Sequence, residues 1–378
     1  MKILIVIDQF DQDNNGTTIS ARRFARGLEK RGHEVSIVST GKQEANKYIV
    51  KELKLLPIAS HIVKSQGMSF AIPSKEILTE AISQADVVHF YLPFALSVQG
   101  LKIAEQLQVA HTTAFHMQPE NVTYTLKLGT NTKVNDTIYT YLRNHFYNHF
   151  THIHCPSNFI AKELKEHGYT AKLHVISNGV DEDFHYQRKE KRPEWKDKYV
   201  ITMVGRLSNE KRQDILIEAI KKSKYEPKIQ LVLAGNGPKY NSYRKQTQDL
   251  TNRPVIQFIK KEELIEVLSM TDVYVHASDA EIEAISCIEA FACGNVPVIA
   301  NSKKSATPQF ALDDRSLFDA GNCDDLVKKI DYWIENEQER IYMQKQYAES
   351  AKQYSIASSM EKMEEMFMEA IAENKRGN

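Results

Sequence analysis

The sequence predicts an α/β chain built from two doubly wound, parallel-sheet halves, and three observations predict it. Short apolar runs recur, each followed by a stretch with helical spacing, which is how strands buried on both faces alternate with crossover helices. The series stops once, at residues 181–197 (DEDFHYQRKEKRPEWKD), which are charged and aperiodic, and then restarts. At 378 residues the chain is long for a single core and comfortable for two of about 150–200 residues each.

In order, residues 3–7 (ILIVI) are the first strand. A polar loop follows, then a helix from about Ile19 to Lys30 that stops at Gly32, and then the strand HEVSIVS. Strand, helix and strand with tight connections form the unit of a parallel sheet. Further strands are expected at 86–91, 109–115, 151–155 and 173–177, with helices at about 75–84, 95–107, 133–149 and 157–167. After the break the expected series is strand 199–204, helix 210–222, strand 229–234, helix 238–249, strand 255–259 and helix 261–269. The stretch 272–300 then gives a strand to His276, a polar loop to Glu283, a helix over about 284–292 ending at Gly294, and a strand from Val296. The tail from about Ser359 carries methionines at helical spacing. The expected domains are 1–180, a linker at 181–197, 198–354, and a C-terminal helix at 355–378 packing back on the first domain.

Composition excludes several classes. Lysine plus arginine and aspartate plus glutamate each number 49, so net charge offers nothing to nucleic acid. Residues 1–180 hold 19 basic and 15 acidic side chains against 30 and 34 in the remainder, a mild basic bias toward an anionic surface. Cys155, Cys287, Cys293 and Cys323 form no C-x-x-C pair and no metal-ligand spacing, and are expected to be reduced and structural, as in the cytoplasm. The opening MKILIVID is too short an apolar run for a signal peptide, and no run approaches the ~20 residues of a membrane span, so any membrane contact is expected to be peripheral.

The chemistry-bearing residues cluster where expected strands end. Gly16 and Thr17 lie before the first helix, where backbone amides can approach a phosphate; no G-x-G-x-x-G follows that strand, which argues against a dinucleotide enzyme. Asp11-Gln12-Asp13 is a D-x-D triplet able to hold a divalent metal, though turns favour the same residues. Arg206 and Lys211, in VGRLSNEKR, are two cations able to neutralise a leaving diphosphate without a metal. Gly235 and Gly237 form a turn that either lines a nucleotide site or is purely structural. His116 ends the strand 109–115. Glu281 and Glu289 bracket a turn whose helix amides, at Ile285 and Ser286, attract anions. Carboxylates around an anion-binding corner suit a ligand with phosphates in the middle and hydroxyls at both ends.

Glu281 and Glu289 together resemble the E-x7-E motif of retaining glycosyltransferases of the large family 4. The resemblance extends over nearly the whole chain: the Gly16 loop, His116, ISNGVD at 176–181, VGRLSNEK at 204–211, the turn at 235–238 and EAFACG at 289–294. Within that family it is similar to bacterial cholesterol and diacylglycerol α-glucosyltransferases, through HFYLPF, FHMQPE, HIHCPSNFI, EAISCIEA and SKKSATPQFALDDRSLF. The resemblance implies a GT-B fold, two Rossmann-like domains facing a central cleft. It also implies UDP-glucose as donor with no required metal or cofactor, Glu289 on the ribose, and Glu281 on the transferred sugar. Arg206 and Lys211, with Ile285, Ser286 and Gly16, would hold the diphosphate, and His116 would contact the sugar and the developing charge. Family members often have Gly-Phe-Pro or Gly-Phe-Gly after the first glutamate. Here the residues are Ile282-Glu283-Ala284, which leaves Glu281 and Glu283 as rivals for the sugar.

A lipid acceptor would require a membrane face. Two candidates are 133–150, with five aromatics among basic residues, and 47–64, where lysines alternate with apolar residues. The expected function is hexosyl transfer to diacylglycerol or a sterol at the inner face of the cell membrane. The alternatives are a polysaccharide, teichoic acid or soluble-sugar acceptor, a nucleotide-sugar epimerase, and an inactive binding module.

Overall fold

The computed structural model describes residues 1–11, 16–56, 68–125 and 132–377. They divide into two compact units. The first comprises Met1–Thr123, Leu128–Gly179 and Ile356–Asn378, and the second Tyr124–Lys127 and Val180–Ser355.

The first unit is a seven-stranded parallel sheet. Its strands are β1 (Lys2–Val6), β2 (Glu34–Ser39), β3 (Lys47–Ile49), β6 (Val87–Phe90), β7 (Ala110–Ala114), β8 (His152–Cys155) and β9 (Lys172–Val175), in the order β3-β2-β1-β6-β7-β8-β9. A short antiparallel pair, β4 (Lys51–Glu52) and β5 (Ala71–Ile72), lies outside it. Helix α1 (Gly16–Lys30) buries Ala21, Phe24, Ala25 and Leu28 at helical spacing against β1 and β2. The crossover helices α2 (Lys75–Ser83), α3 (Ala95–Gln106), α4 (Pro119–Thr125), α5 (Thr132–His145) and α6 (Asn158–Glu166) follow. In the second unit, β10 (Tyr199–Val204), β11 (Ile229–Ala234), β12 (Val255–Gln257), β13 (Val273–His276), β15 (Val296–Ala300) and β17 (Leu317–Phe318) form a parallel sheet ordered β12-β11-β10-β13-β15-β17. A two-residue pair, β14 (Ala280–Glu281) with β16 (Lys304–Ser305), ties the loop after β13 to the loop after β15. The helices are α7 (Gln213–Lys222), α8 (Tyr240–Gln246), α9 (Lys261–Met270), α10 (Ile285–Ala292), α11 (Cys323–Glu335) and α12 (Glu337–Ala351).

Helix α13 (Ile356–Gly377) belongs to the first unit, where Met360, Met363, Met366 and Phe367 sit in the same core as Ile3, Ile5 and Phe24. Arg31 clasps Glu364 with two bonds of 2.7 Å, and His33 Nε2 meets the same carboxylate at 2.7 Å.

The structure corrects three expectations. Residues 181–197 are no free linker: Phe184 and Trp195 are buried in the second unit's core, and Lys191 Nζ lies 2.6 Å from Asp272. Charge around two apolar anchors hid that packing. The expected helix 210–222 is split, a 3-10 turn over Asn209–Lys211 being separated from α7 by Arg212 in the left-handed region (φ 56°). The 133–150 stretch also does not display its aromatics. Tyr139, Phe146, Tyr147 and Phe150 are buried, and Tyr141 alone of the five is exposed. The 47–64 stretch is described only to residue 56. Lys47 there is buried on Asp11, while Leu53 and Leu56 are exposed among the exposed Lys51 and Lys54.

Candidate active site

In a doubly wound sheet the strand order reverses at one point, and the loops leaving the two strands there part to leave a crevice at the carboxyl edge. In the second unit that point lies between β10 and β13. The loop after β10 carries Arg206 and Lys211, and the loop after β13 leads through Glu281 into α10. Ser286 Oγ closes the base of this corner by donating to the Val204 carbonyl at 3.2 Å.

The β10 loop is held by backbone. Gly205 N donates to Ala234 O at 3.0 Å, Leu207 N to Asn236 O at 3.0 Å, and Lys239 N to Leu207 O at 2.9 Å. A Cβ at Gly235 would stand 1.9 Å from the Gly205 carbonyl oxygen, and one at Gly237 2.5 Å from that of Leu207. The two glycines therefore fix the loop that carries the cations.

The ionic groups interlock. Lys211 Nζ donates to Glu281 Oε1, and His276 Nε2 meets the same oxygen at 2.9 Å, so both contacts leave Oε2 to other donors. Burial alone would raise the Glu281 carboxyl, but the Lys211 charge and the His276 hydrogen bond hold it well below the usual carboxylate range. Arg206 Nη2 donates to Glu210 Oε1 at 2.6 Å, and Ser208 Oγ reaches the same oxygen at 2.6 Å. Arg212 Nη1 lies 3.2 Å from Asp279 Oδ2, and Asp279 N donates to the Glu210 carbonyl at 2.8 Å, binding the two loops together.

Helix α10 starts from Ala284, which takes a left-handed conformation (φ 72°, ψ 72°) and offers no side-chain cap. For a residue with a Cβ this costs on the order of 1 kcal/mol. The amides of Ile285 and Ser286, in the first turn that follows, have no intrahelical acceptor. Glu289 lies in the buried part of α10 and is 8% exposed. Glu283 is buried, and burial together with the Glu283 charge raises the Tyr354 hydroxyl to about 12, while Glu281 meets Lys211.

The remaining expected residues lie in the first unit. Gly16 and Thr17 open α1 as its first turn, three residues before the expected helix start, and a Cβ at Gly16 would meet nothing within 4 Å. Asp11 of the D-x-D triplet accepts from Lys47 Nζ at 2.6 Å and Lys42 N at 2.7 Å; Gln12 and Asp13 lie outside the described residues. His116 is 6% exposed, stacks on Tyr91 at 5.2 Å, and has neither ring nitrogen hydrogen-bonded. Burial and the neighbouring His154 hold it well below the ordinary histidine value, so it is a neutral imidazole.

Sequence reasoning missed His276, Glu210 and Asp279. Glu210 could have been found, since it stands four residues after Arg206 within the same motif. His276 reads as an ordinary strand residue, and its partnership with Glu281 depends on how the loop folds back.

Comparison with known proteins agrees with this architecture. The family profile described as Glycosyltransferase Family 4 matches residues 14–184, and that described as Glycosyl transferases group 1 matches residues 186–353. An alpha-monoglucosyldiacylglycerol synthase from Streptococcus pneumoniae is 25% identical over 321 residues, 80% of this chain and 71% of that protein. The crystal structure of the catalytic domain of cholesterol-alpha-glucosyltransferase from Helicobacter pylori is 50% identical in sequence, covering 42% of this chain and 99% of that chain, with a TM-score of 0.41. The Anabaena protein HepE, solved in complex with UDP-glucose, matches 98% of this chain and 100% of its own with a TM-score of 0.72 at 16% identity, a likeness of fold. With one profile following directly on the other across both units, the chain belongs to the GT-B glycosyltransferases of group 1, its N-terminal part being the family 4 region.

Proposed function

We propose that this chain transfers glucose from UDP-glucose, with retention of configuration, to the hydroxyl of a membrane lipid, a diacylglycerol or a sterol. The observation that carries the reading is the corner of the second unit. There Lys211 and Arg206 stand beside the free amides of α10, and Glu281 keeps one carboxylate oxygen uncommitted. A diphosphate takes the cations and the Ile285 and Ser286 amides. Glu289 accepts from the ribose hydroxyls, and Glu281 Oε2 accepts from a hydroxyl of the sugar. In the transfer, the bond from the anomeric carbon to the phosphate oxygen breaks and the bond to the acceptor oxygen forms on the same face. The acceptor proton passes to the departing phosphate, so no side-chain nucleophile enters. Arg206 and Lys211 stabilise the charge that builds on the diphosphate. The neutral His116 is assigned to the transferred sugar by the family resemblance.

The diacylglycerol acceptor is supported by the likeness to the alpha-monoglucosyldiacylglycerol synthase of Streptococcus pneumoniae. The sterol alternative rests on the sequence motifs. Peripheral membrane binding is supported by Leu53 and Leu56, exposed beside Lys51 and Lys54, a composition suited to an anionic interface. No described helix is long and apolar enough to cross a membrane.

The test incubates the purified chain with radiolabelled UDP-glucose and vesicles containing diacylglycerol or cholesterol, then counts label in the organic phase. Labelled lipid is expected. Label confined to a water-soluble polymer would move the acceptor to a polysaccharide, and no UDP release with any acceptor would remove the reading.

A further inference from the structure

Far along the first unit's sheet from β1, strands β8 and β9 pair with His152 opposite Lys172 and His154 opposite His174. Because side chains alternate along a strand, Lys172 and His174 share the face that His152 presents. Helix α13 crosses that face with Glu369 and Glu373 one turn apart. Among the described residues, His152, His174 and Glu369 form a group in which one ligand atom from each converges. His152 Nδ1 lies 2.9 Å from His174 Nε2 and 4.0 Å from Glu369 Oε2, and His174 Nε2 lies 3.9 Å from that same oxygen. A point equidistant from the three atoms is about 2.1 Å from each, the length of a zinc–imidazole or zinc–carboxylate bond.

A second feature points the same way. His152 Nε2 meets Glu373 Oε2 at 2.9 Å. A neutral His152 that donates its Nε2–H to this carboxylate carries its lone pair on Nδ1, the atom aimed into the group. Such carboxylate–histidine pairs orient the histidines of metal sites. We propose that His152, His174 and Glu369 bind a zinc-class divalent ion, with Glu373 orienting His152, and that the ion fastens the C-terminal helix to the edge strands of the first unit.

The donor set is two imidazoles and one carboxylate, which suits zinc over calcium or magnesium. His152 is fully buried and His174 mostly so, while Glu369 is 42% exposed, so a fourth position opens to solvent. The competitor is Lys172 Nζ, 2.5 Å from Glu369 Oε2. Its side chain is 56% exposed and swings aside at little cost. In the competing arrangement His174 donates Nε2–H to His152, and the cluster is a hydrogen-bond chain with no ion.

The two arrangements are separated by zinc uptake. The full-length, untagged chain is stripped with EDTA and titrated with Zn2+ against a chromophoric chelator, with thermal unfolding followed in parallel. The site predicts one ion per chain and a higher Tm with Zn2+. His174→Gln is expected to weaken binding at least about 100-fold and Glu373→Gln about 10–100-fold. His149→Gln, an exposed histidine of the same unit, leaves it unchanged. Glu369 and Glu373 are half-exposed, so Glu369→Gln and Glu373→Gln decide the matter even if the His174 variant fails to fold. Absence of stoichiometric uptake, or uptake equal in wild type and all three cluster variants, overturns the proposal.

Discussion

Lys211 and Glu281, 70 residues apart in sequence, form an ion pair in the second unit, and His276 joins them on the same carboxylate oxygen. The pair connects the loop that follows β10 to the loop that follows β13. It therefore fixes the spacing between the cation proposed to bind phosphate and the carboxylate proposed to bind a sugar hydroxyl, which is what preorganisation requires.

That pair predicts a pH dependence. A carboxyl held below its ordinary value of 4.5 contributes stability that is complete above that value and is lost as pH falls toward the depressed one. Glu281→Gln is expected to lower stability by about 1–3 kcal/mol at pH 7. Urea unfolding between pH 7 and pH 3 checks this: the difference between wild type and variant shrinks as acid is added. A difference constant over that range would show that the pair contributes no linkage.

The glycine brace predicts a loss that begins as geometry. With a backbone oxygen 1.9 Å from the position of a new Cβ, Gly235→Ala forces the two loops apart. The expected cost is about 2–3 kcal/mol, and glycosyl transfer falls with it because Arg206 is carried on the displaced loop. Denaturant unfolding and initial rates measured on the same sample test both halves.

Ala284 holds a conformation suited to glycine. Ala284→Gly is expected to stabilise by about 0.5–1 kcal/mol, and Ala284→Val to destabilise by about 1–2 kcal/mol. The midpoint of urea unfolding reads each, and opposite signs for the two substitutions are the outcome to look for.

The roles proposed for Arg206 and Glu289 separate binding from chemistry. Arg206→Ala is expected to lower kcat by about 100–1,000-fold with little change in KM, since its charge matters most when the diphosphate departs. Glu289→Ala is expected to raise the Kd for UDP by about 10–100-fold, the worth of two charge-assisted hydrogen bonds. Steady-state kinetics and UDP titration distinguish them.

The parallel strands were legible because both their faces are buried: KILIV, EVSIVS and VPVIA leave no room for a solvent-facing pattern. Arg206, Lys211 and Glu281 drew notice in the sequence because they follow expected strand ends, and the structure carries them on the loops after β10 and β13 with Lys211 paired to Glu281. What escaped depends on tertiary placement. Phe184 and Trp195 anchor a segment that looks like a charged linker. Four aromatics of 133–150 face a core rather than an interface. His276 acquires a role only once the Glu281 loop folds back over its strand. Ala284 in the left-handed region could not be read from a residue type that rarely goes there.

The most direct measurement is a calorimetric titration of UDP into the wild-type chain and into Lys211→Met. A diphosphate held at the corner of the second unit predicts one site per chain in the wild type and an affinity about 10–100-fold weaker in the variant. Equal affinity in the two proteins would contradict the assignment of Lys211, and of that corner, to the donor.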